Sequence, residues 1–229
     1  VGRSGPLLTG IYKPTGKKYL IKHTYPHNAA NEFVACWLAE KLGIPAPKAY
    51  LLTPNKAFSS PYAVAIEYIE GLGPFPKDAV PESMKDDLIG QFTLCLLLHM
   101  DDMIQLSRTE KHIYSYDFSE SFLITNLRHI LLSKNDDEAI ELLKPTLNMY
   151  RRFVMKNDFD VPGLAREFHL DPLYMSKRMK QIVKRSVAIS KDEIEQMSDE
   201  LIEMYSIPIG VYYEECIESI KERAEILEE

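Results

Sequence analysis

Residues 18–50, KYLIKHTYPHNAANEFVACWLAEKLGIPAPKAY, constrain the fold more than any other stretch. They read as a strand carrying a lysine, a short loop, a helix carrying a glutamate, and a second strand. Lys22 closes the β-prone run Tyr19, Leu20, Ile21, and Glu32 falls in the first turns of a helix expected over residues 28–42. At about 100° per residue, Glu32 shares a sector with Ala35, Cys36 and Ala39, a small apolar face. A carboxylate on such a face requires a cation, and Lys22 is close enough in the pattern to supply it. Gly43 and Pro45 end the helix, because glycine adopts the left-handed C′ conformation and proline cannot continue the spiral. A strand over Ala49–Leu52 follows at once.

With 229 residues, 45% of them hydrophobic, the chain is long enough for one large domain or two small lobes with real cores. A net charge of −7 argues against general nucleic-acid or acidic-membrane binding, which need a basic footprint. Cys36, Cys95 and Cys216 lie far apart without C-x-x-C spacing, so they read as buried hydrophobes in a reducing, cytoplasmic setting. No signal peptide is visible. The most apolar run, residues 92–100, is far short of the roughly 20 residues that span a bilayer, so no membrane partner is expected.

The chain opens with VGRSG, whose Gly2, Ser4 and Gly5 would let backbone N–H groups approach phosphate oxygens. A strand over residues 6–12 and a turn at residues 13–17 lead back into the Lys22 strand. Residues 62–69, YAVAIEYI, form another β-prone run, and the Gly- and Pro-dense residues 70–81 form a linker. The lobe boundary is placed here, with residues 1–72 as a small antiparallel β lobe with one helix and residues 73–229 as a larger helical lobe. A helix over residues 83–100 delivers the chain to a hairpin with strands at 103–106 and 112–116 and a turn at 107–111. Asp101 and Asp102 precede this hairpin and Asp117 follows it, so folding it back brings carboxylates together. The remainder reads as helices over 122–133, 137–156, 161–167, 172–186, 191–204 and 209–227. Pro145, Pro162, Pro172 and Pro208 punctuate them, and Ser190 with Glu193 forms a capping box.

A glycine loop, a strand lysine, a helix glutamate, a β-run before a linker and a hairpin flanked by aspartates follow the protein-kinase order. More closely, NEFVACWLAEKLGIPAPKA resembles the helix of HipA-like kinases, in which an asparagine-glutamate pair opens the segment and a Leu-Gly-hydrophobic-Pro ending leads to the next strand. YLIKH resembles that family's lysine strand and YSYDFSES its second acidic motif. The resemblance covers residues 2–122 and implies an α+β, two-lobed protein-kinase-like fold. It implies an ATP- and Mg²⁺-dependent serine/threonine kinase, capable of phosphorylating its own chain. By position, Lys22 would contact the α/β-phosphates, Glu32 would hold Lys22, Asp101 would orient or deprotonate the acceptor hydroxyl, and Asp117 would bind Mg²⁺. The backbone of Glu67, Tyr68 and Ile69 would form the hinge that reads the adenine edge. HipA-like kinases often belong to toxin–antitoxin modules, so the resemblance also implies a small antitoxin-like partner protein.

The chain departs from the family at LHMDDMIQL, where a Gly-Asn-x-Asp-Arg-like approach and a following asparagine are expected. Gln105 is the nearest amide that could serve as second metal ligand, and either Asp101 or Asp102 can be the functional acid. These losses leave open a pseudokinase that retains the fold as a nucleotide- or partner-binding scaffold, and a small-molecule kinase is a third reading. His23 and His27 lack a third ligand at metal spacing and read as ordinary polar residues. The basic run Lys177, Arg178, Lys180, Lys184, Arg185 reads as a solvated face compensated by the acidic helix that follows.

Overall fold

The computed structural model describes residues 7–57, 61–75, 80–100, 105–124, 135–156, 162–205 and 209–227. The first part is a four-stranded antiparallel sheet with one helix. Strands β1 (Leu7–Tyr12), β2 (Lys17–Thr24), β3 (Ala49–Leu52) and β4 (Tyr62–Glu67) lie in the order β1-β2-β4-β3, with α1 (Pro26–Leu42) between β2 and β3 in sequence. Lys22 stands opposite Val64, which stands opposite Leu51. Cross-strand partners share a face, so Lys22 projects to the same side as these buried residues.

Helix α1 packs on β3 and β4 and is buried nearly all the way round. It begins two residues before the expected Asn28, because Pro26 in the first turn needs no hydrogen-bond acceptor for the amide it lacks. Gly43 ends it at φ 66°, and the Ile44 amide donates to Ala39 O at 2.8 Å. The left-handed φ strains any other side chain here, and a Cβ on Gly43 would stand 2.6 Å from Arg185 Nη1 and displace it. That guanidinium donates to Leu42 O at 2.7 Å and so satisfies a terminal carbonyl of α1.

Several boundaries differ from expectation for local physical reasons. The run over residues 62–69 leaves the sheet after Glu67, where Gly71 turns the chain at φ 72°. The expected linker contains a two-residue strand, β5 (Gly73–Pro74), which pairs with β6 (Gln105–Arg108) at a sheet edge, where proline is tolerated. Helix α2 (Lys85–Leu97) follows a 3₁₀ turn at Glu82–Met84 and stops three residues early, with His99 in left-handed backbone at φ 48°. The hairpin turn sits later than expected, between β6 and β7 (Ile113–Tyr116), because Thr109 Oγ1 accepts from the amides of Lys111 and His112. Phe122 and Leu123 do not start a helix. Both have left-handed φ, 60° and 59°, Ile124 is buried outside any helix, and residues 125–133 of that expected helix lie outside the described residues.

Helix α3 (Asp136–Lys156) runs continuously through Pro145, as the helix expected over residues 137–156 does. The helices α4 (Pro162–Glu167), α5 (Pro172–Lys184), α6 (Lys191–Tyr205) and α7 (Ile209–Ile226) follow. The capping box is present, with Glu193 N donating to Ser190 Oγ at 3.3 Å and Ser190 N to Glu193 Oε2 at 2.9 Å. Helix α7 is the centre of the helical part, packing on α3, α5 and α6 through Tyr212, Cys216, Ile217 and Ile220. All three cysteines are buried and free. In the basic run Lys177 and Lys180 are exposed, as expected of a solvated face. Arg178 pairs with Asp86 of α2 at 3.0 Å, and in the acidic helix Glu193 takes Lys41 of α1. Among the described residues no helix is long and apolar enough to cross a membrane.

Gln91 joins α2 to the hairpin. Fully buried, it donates to Pro45 O at 2.8 Å and Ile113 O at 2.9 Å and accepts from Ser115 Oγ. Gln91→Ala removes all three bonds inside the core, and urea unfolding should show a loss of about 3 kcal/mol.

Candidate active site

Three elements bring three charges together. Strand β2 supplies Lys22, α1 supplies Glu32, and the loop after β7 supplies Asp117. Lys22 Nζ donates to Glu32 Oε1 at 2.7 Å and also to Asp117 Oδ1. The three are graded in exposure. The Glu32 side chain is 1% exposed, that of Lys22 14% and that of Asp117 40%. The lysine therefore bridges a carboxylate locked in the interior and one that faces outward. Asp117 has φ 68°, a left-handed conformation that aspartate tolerates better than most side chains, and Ser119 Oγ donates to its Oδ1 at 3.0 Å.

Burial sets the electrostatics and the ion pairs modify it. Burial acts to lower the Lys22 pKa, but Glu32 and Asp117 outweigh it and hold the ammonium above its ordinary value. Burial pushes Glu32 up, offset in part by Lys22 and by the Phe118 backbone amide. Asp117 moves the other way. Partial burial raises its pKa, but the hydrogen bonds from Lys22 and Ser119 and the Lys22 charge bring it below the usual carboxylate range. Lys22 is thus a fixed cation at neutral pH, and Asp117 a fixed anion.

The other expected site residues are placed unevenly. Asp101 and the loop residues Gly2, Ser4 and Gly5 lie outside the described residues, as does Asp102. Gln105 opens β6, is exposed, and stands opposite Tyr116, the residue before Asp117. Glu67 lies on the sheet face opposite Lys22, where its carboxylate takes Lys17 Nζ at 2.7 Å. The Glu67 amide donates to Lys48 O at 2.8 Å and the Tyr68 amide to Lys18 O at 3.0 Å, so both N–H groups are committed to the framework. Ile69 follows them outside regular structure. An apolar cup of about 590 Å³ lies on that opposite face, lined by Gly10, Tyr12, Tyr19, Ile21, Tyr50 and Ala65. Lys17, the cation at its edge, is paired with Glu67.

Other polar residues around Asp117 were not singled out as site residues from sequence. Asn31 and Ser119 flank the residues that were, and Tyr213 comes from the far end of the chain. The Asn31–Glu32 pair near the start of α1 is the one local signal for Asn31. Among the described residues no cluster of three or more His, Cys, Asp or Glu is arranged to hold a metal. Asp117 offers a hard oxygen donor of the kind Mg²⁺ takes, while Gln105 stands across the hairpin from Tyr116, the residue before Asp117.

Because the folded state holds Asp117 at a lower pKa than the unfolded chain does, its contribution to stability is full above the unfolded value of about 3.9 and is lost as pH falls through the folded value. The stability difference between wild type and Asp117→Asn should therefore be constant from neutral pH down to about 5 and shrink below about 4. Denaturant titrations at several pH values check this.

No protein-family model matches the chain, and no curated protein matches it in sequence. Its fold is nevertheless found among solved structures. The Helicobacter pylori proinflammatory kinase CtkA matches with a TM-score of 0.50 and 16% identity, over 95% of this chain and 93% of that one. HipA of Shewanella oneidensis, solved with HipB and operator DNA, has a TM-score of 0.42 and 11% identity over 97% of this chain and 66% of that one, too distant to add to the fold assignment. The chain has the kinase-like fold of CtkA, with a small antiparallel β lobe and a larger helical part, as its HipA-like motifs implied.

Proposed function

We propose that this chain is an ATP- and Mg²⁺-dependent phosphotransferase that transfers the γ-phosphoryl group to a Ser or Thr hydroxyl of a protein, its own chain included. The observation that carries the reading is Lys22 held between buried Glu32 and half-exposed Asp117. Such an ammonium is prepaid in orientation. Among the described residues Glu32 has no other cation partner, and Lys22 can exchange Asp117 for phosphate oxygens without leaving Glu32. Asp117, together with the amide of Gln105, would hold Mg²⁺, which when bound neutralises charge on the β- and γ-phosphates. In the transfer, the acceptor oxygen forms a bond to the γ-phosphorus, the bond from that phosphorus to the bridging oxygen breaks, and ADP departs with the electron pair. The hydroxyl proton goes to Asp101, a role that rests on the HipA-like resemblance. Buried free cysteines fit a reducing cytoplasm, and an antitoxin-like partner protein belongs to the proposal only through the same resemblance.

One observation favours a second reading. Where the family has an asparagine ligand, this chain offers Gln105, longer and exposed at the start of a strand. A catalytically weak or inactive pseudokinase that binds nucleotide as a scaffold would share every other feature. Incubation with γ-labelled ATP, Mg²⁺ and a broad protein mixture separates the two. Transfer that drops by on the order of 10² or more in Asp117→Ala supports the phosphotransferase, while wild type no better than that variant removes it. Melting temperature with and without Mg-ATP then reports on the scaffold. A ligand at about 100 times its Kd adds roughly 2.7 kcal/mol, so a magnesium-dependent rise that disappears in Asp117→Ala, without transfer, is the pseudokinase result.

A further inference from the structure

The loop that carries Asp117 cannot hold its own shape. Asp117, Phe122 and Leu123 all have left-handed backbone, at φ 68°, 60° and 59°, and none is glycine. Its conformation must be imposed from outside, and the ties converge on one side chain. Asn31 Nδ2 donates to Ser119 O at 2.7 Å and to Ser121 O at 2.8 Å, using both of its hydrogens on the loop backbone. Its Oδ1 accepts from the Tyr213 hydroxyl of α7. Two carbonyls that only accept and a hydroxyl placed to donate fix which way the amide faces. Asn31 is 1% exposed and Tyr213 fully buried, so water does not compete for these bonds. Tyr213 also packs edge-on against Phe122 at 5.1 Å, and its neighbour Tyr212 donates to Phe122 O. Helix α7 therefore holds both Asn31 and the end of the loop that Asn31 grips.

We infer that Asn31 is a positioning residue, oriented by Tyr213, that fixes the Asp117 loop against the helix bearing Glu32 and so sets Asp117 relative to Lys22. This rests on the phosphotransferase reading for its purpose, though not for its geometry. Asn31 and Glu32 are consecutive in α1, one gripping the loop and the other the lysine, so the separation of metal-binding carboxylate and phosphate-binding ammonium is set by one rigid piece of backbone. Asn31 itself lies behind the site and touches no reacting atom. Removing it should loosen Asp117 while leaving Lys22 on Glu32.

The test uses the whole chain in three variants: Asn31→Ala, the milder Tyr213→Phe, which keeps the ring and loses the hydroxyl, and Ser219→Ala. The last deletes a buried hydroxyl bonded to Glu215 O within α7 and controls for general destabilisation. Amide hydrogen exchange over residues 118–121 is read first, since it needs no nucleotide. Exchange should rise about 10-fold in Asn31→Ala, less in Tyr213→Phe and not in Ser219→Ala. Affinity for ATP is read second, with and without Mg²⁺. The gain on adding Mg²⁺ should fall about 10-fold in Asn31→Ala while the magnesium-free affinity stays within about two-fold, a split that a purely structural role would not produce. Loop exchange no faster in Asn31→Ala than in Ser219→Ala overturns the inference, as does an unchanged magnesium gain. If wild type itself gains nothing from Mg²⁺, the nucleotide reading fails, and the exchange data alone still decide whether Asn31 holds the loop.

Discussion

A carboxylate buried to 1% exposure is the constraint on which the rest of this structure depends. Stripping Glu32 of water costs several kcal/mol, and a single lysine recovers that only with close geometry. Lys22 must arrive at the correct pitch of β2, and α1 must lie across that face of the sheet. The register of β2 with β4 achieves the first, placing Lys22 opposite Val64 on the inward face. Packing of α1 against β3 and β4 achieves the second. Having met those demands, the pair has a spare donor on Lys22, and Asp117 takes it.

The same constraint explains why α1 is gripped from several sides. In a helix free to swing, a buried Glu32 would alternate between a partnered and an unpartnered state, and the unpartnered one is costly. Arg185 on Leu42 O, Glu193 on Lys41 and Tyr213 on Asn31 all hold α1 to the helical part, from its C-terminal end to its first turns. These ties come from three different segments of the later chain. The helical part thus serves as the clamp on the one helix that carries the site, which gives its size a purpose beyond stability.

How far the sequence revealed this depends on whether a feature is local or closed by distant contacts. The Lys22–Glu32 contact was legible because strand alternation and helix phase are periodic, and the Gly43–Pro45 ending marked where α1 stops. The Ser190–Glu193 box was legible for the same reason. Left-handed φ at Phe122 and Leu123 was not, because neither residue type favours it and the conformation is imposed by Tyr212, Tyr213 and Leu98. The helix over residues 137–156 was legible across Pro145, and packing of α3 on α7 supports it at a residue that propensity alone would use to break it. The Asn31–Tyr213 bond closes a loop of 182 residues, and no pattern in one sequence encodes such a pairing.

The backbone after β4 limits how a purine could be recognised. A hinge reads an adenine edge through amides and carbonyls that the fold leaves unused. Here the Glu67 and Tyr68 amides already serve Lys48 and Lys18, and the Tyr68 ring is covered by the Lys18 ammonium at 4.0 Å. Both bonds lie at the end of β4, where they anchor the strand before the chain turns at Gly71. Recognition of the base by an N–H donor therefore falls to Ile69 or beyond, or else requires the β2 end of the sheet to yield. At the proposed phosphate end, Lys22 is fixed by Glu32 and would need only to change its outer partner. Under the proposed phosphotransferase reading, nucleotide binding would lean on phosphate and metal more than on the base, and Asp117 with the loop that carries it would be the place where affinity is decided.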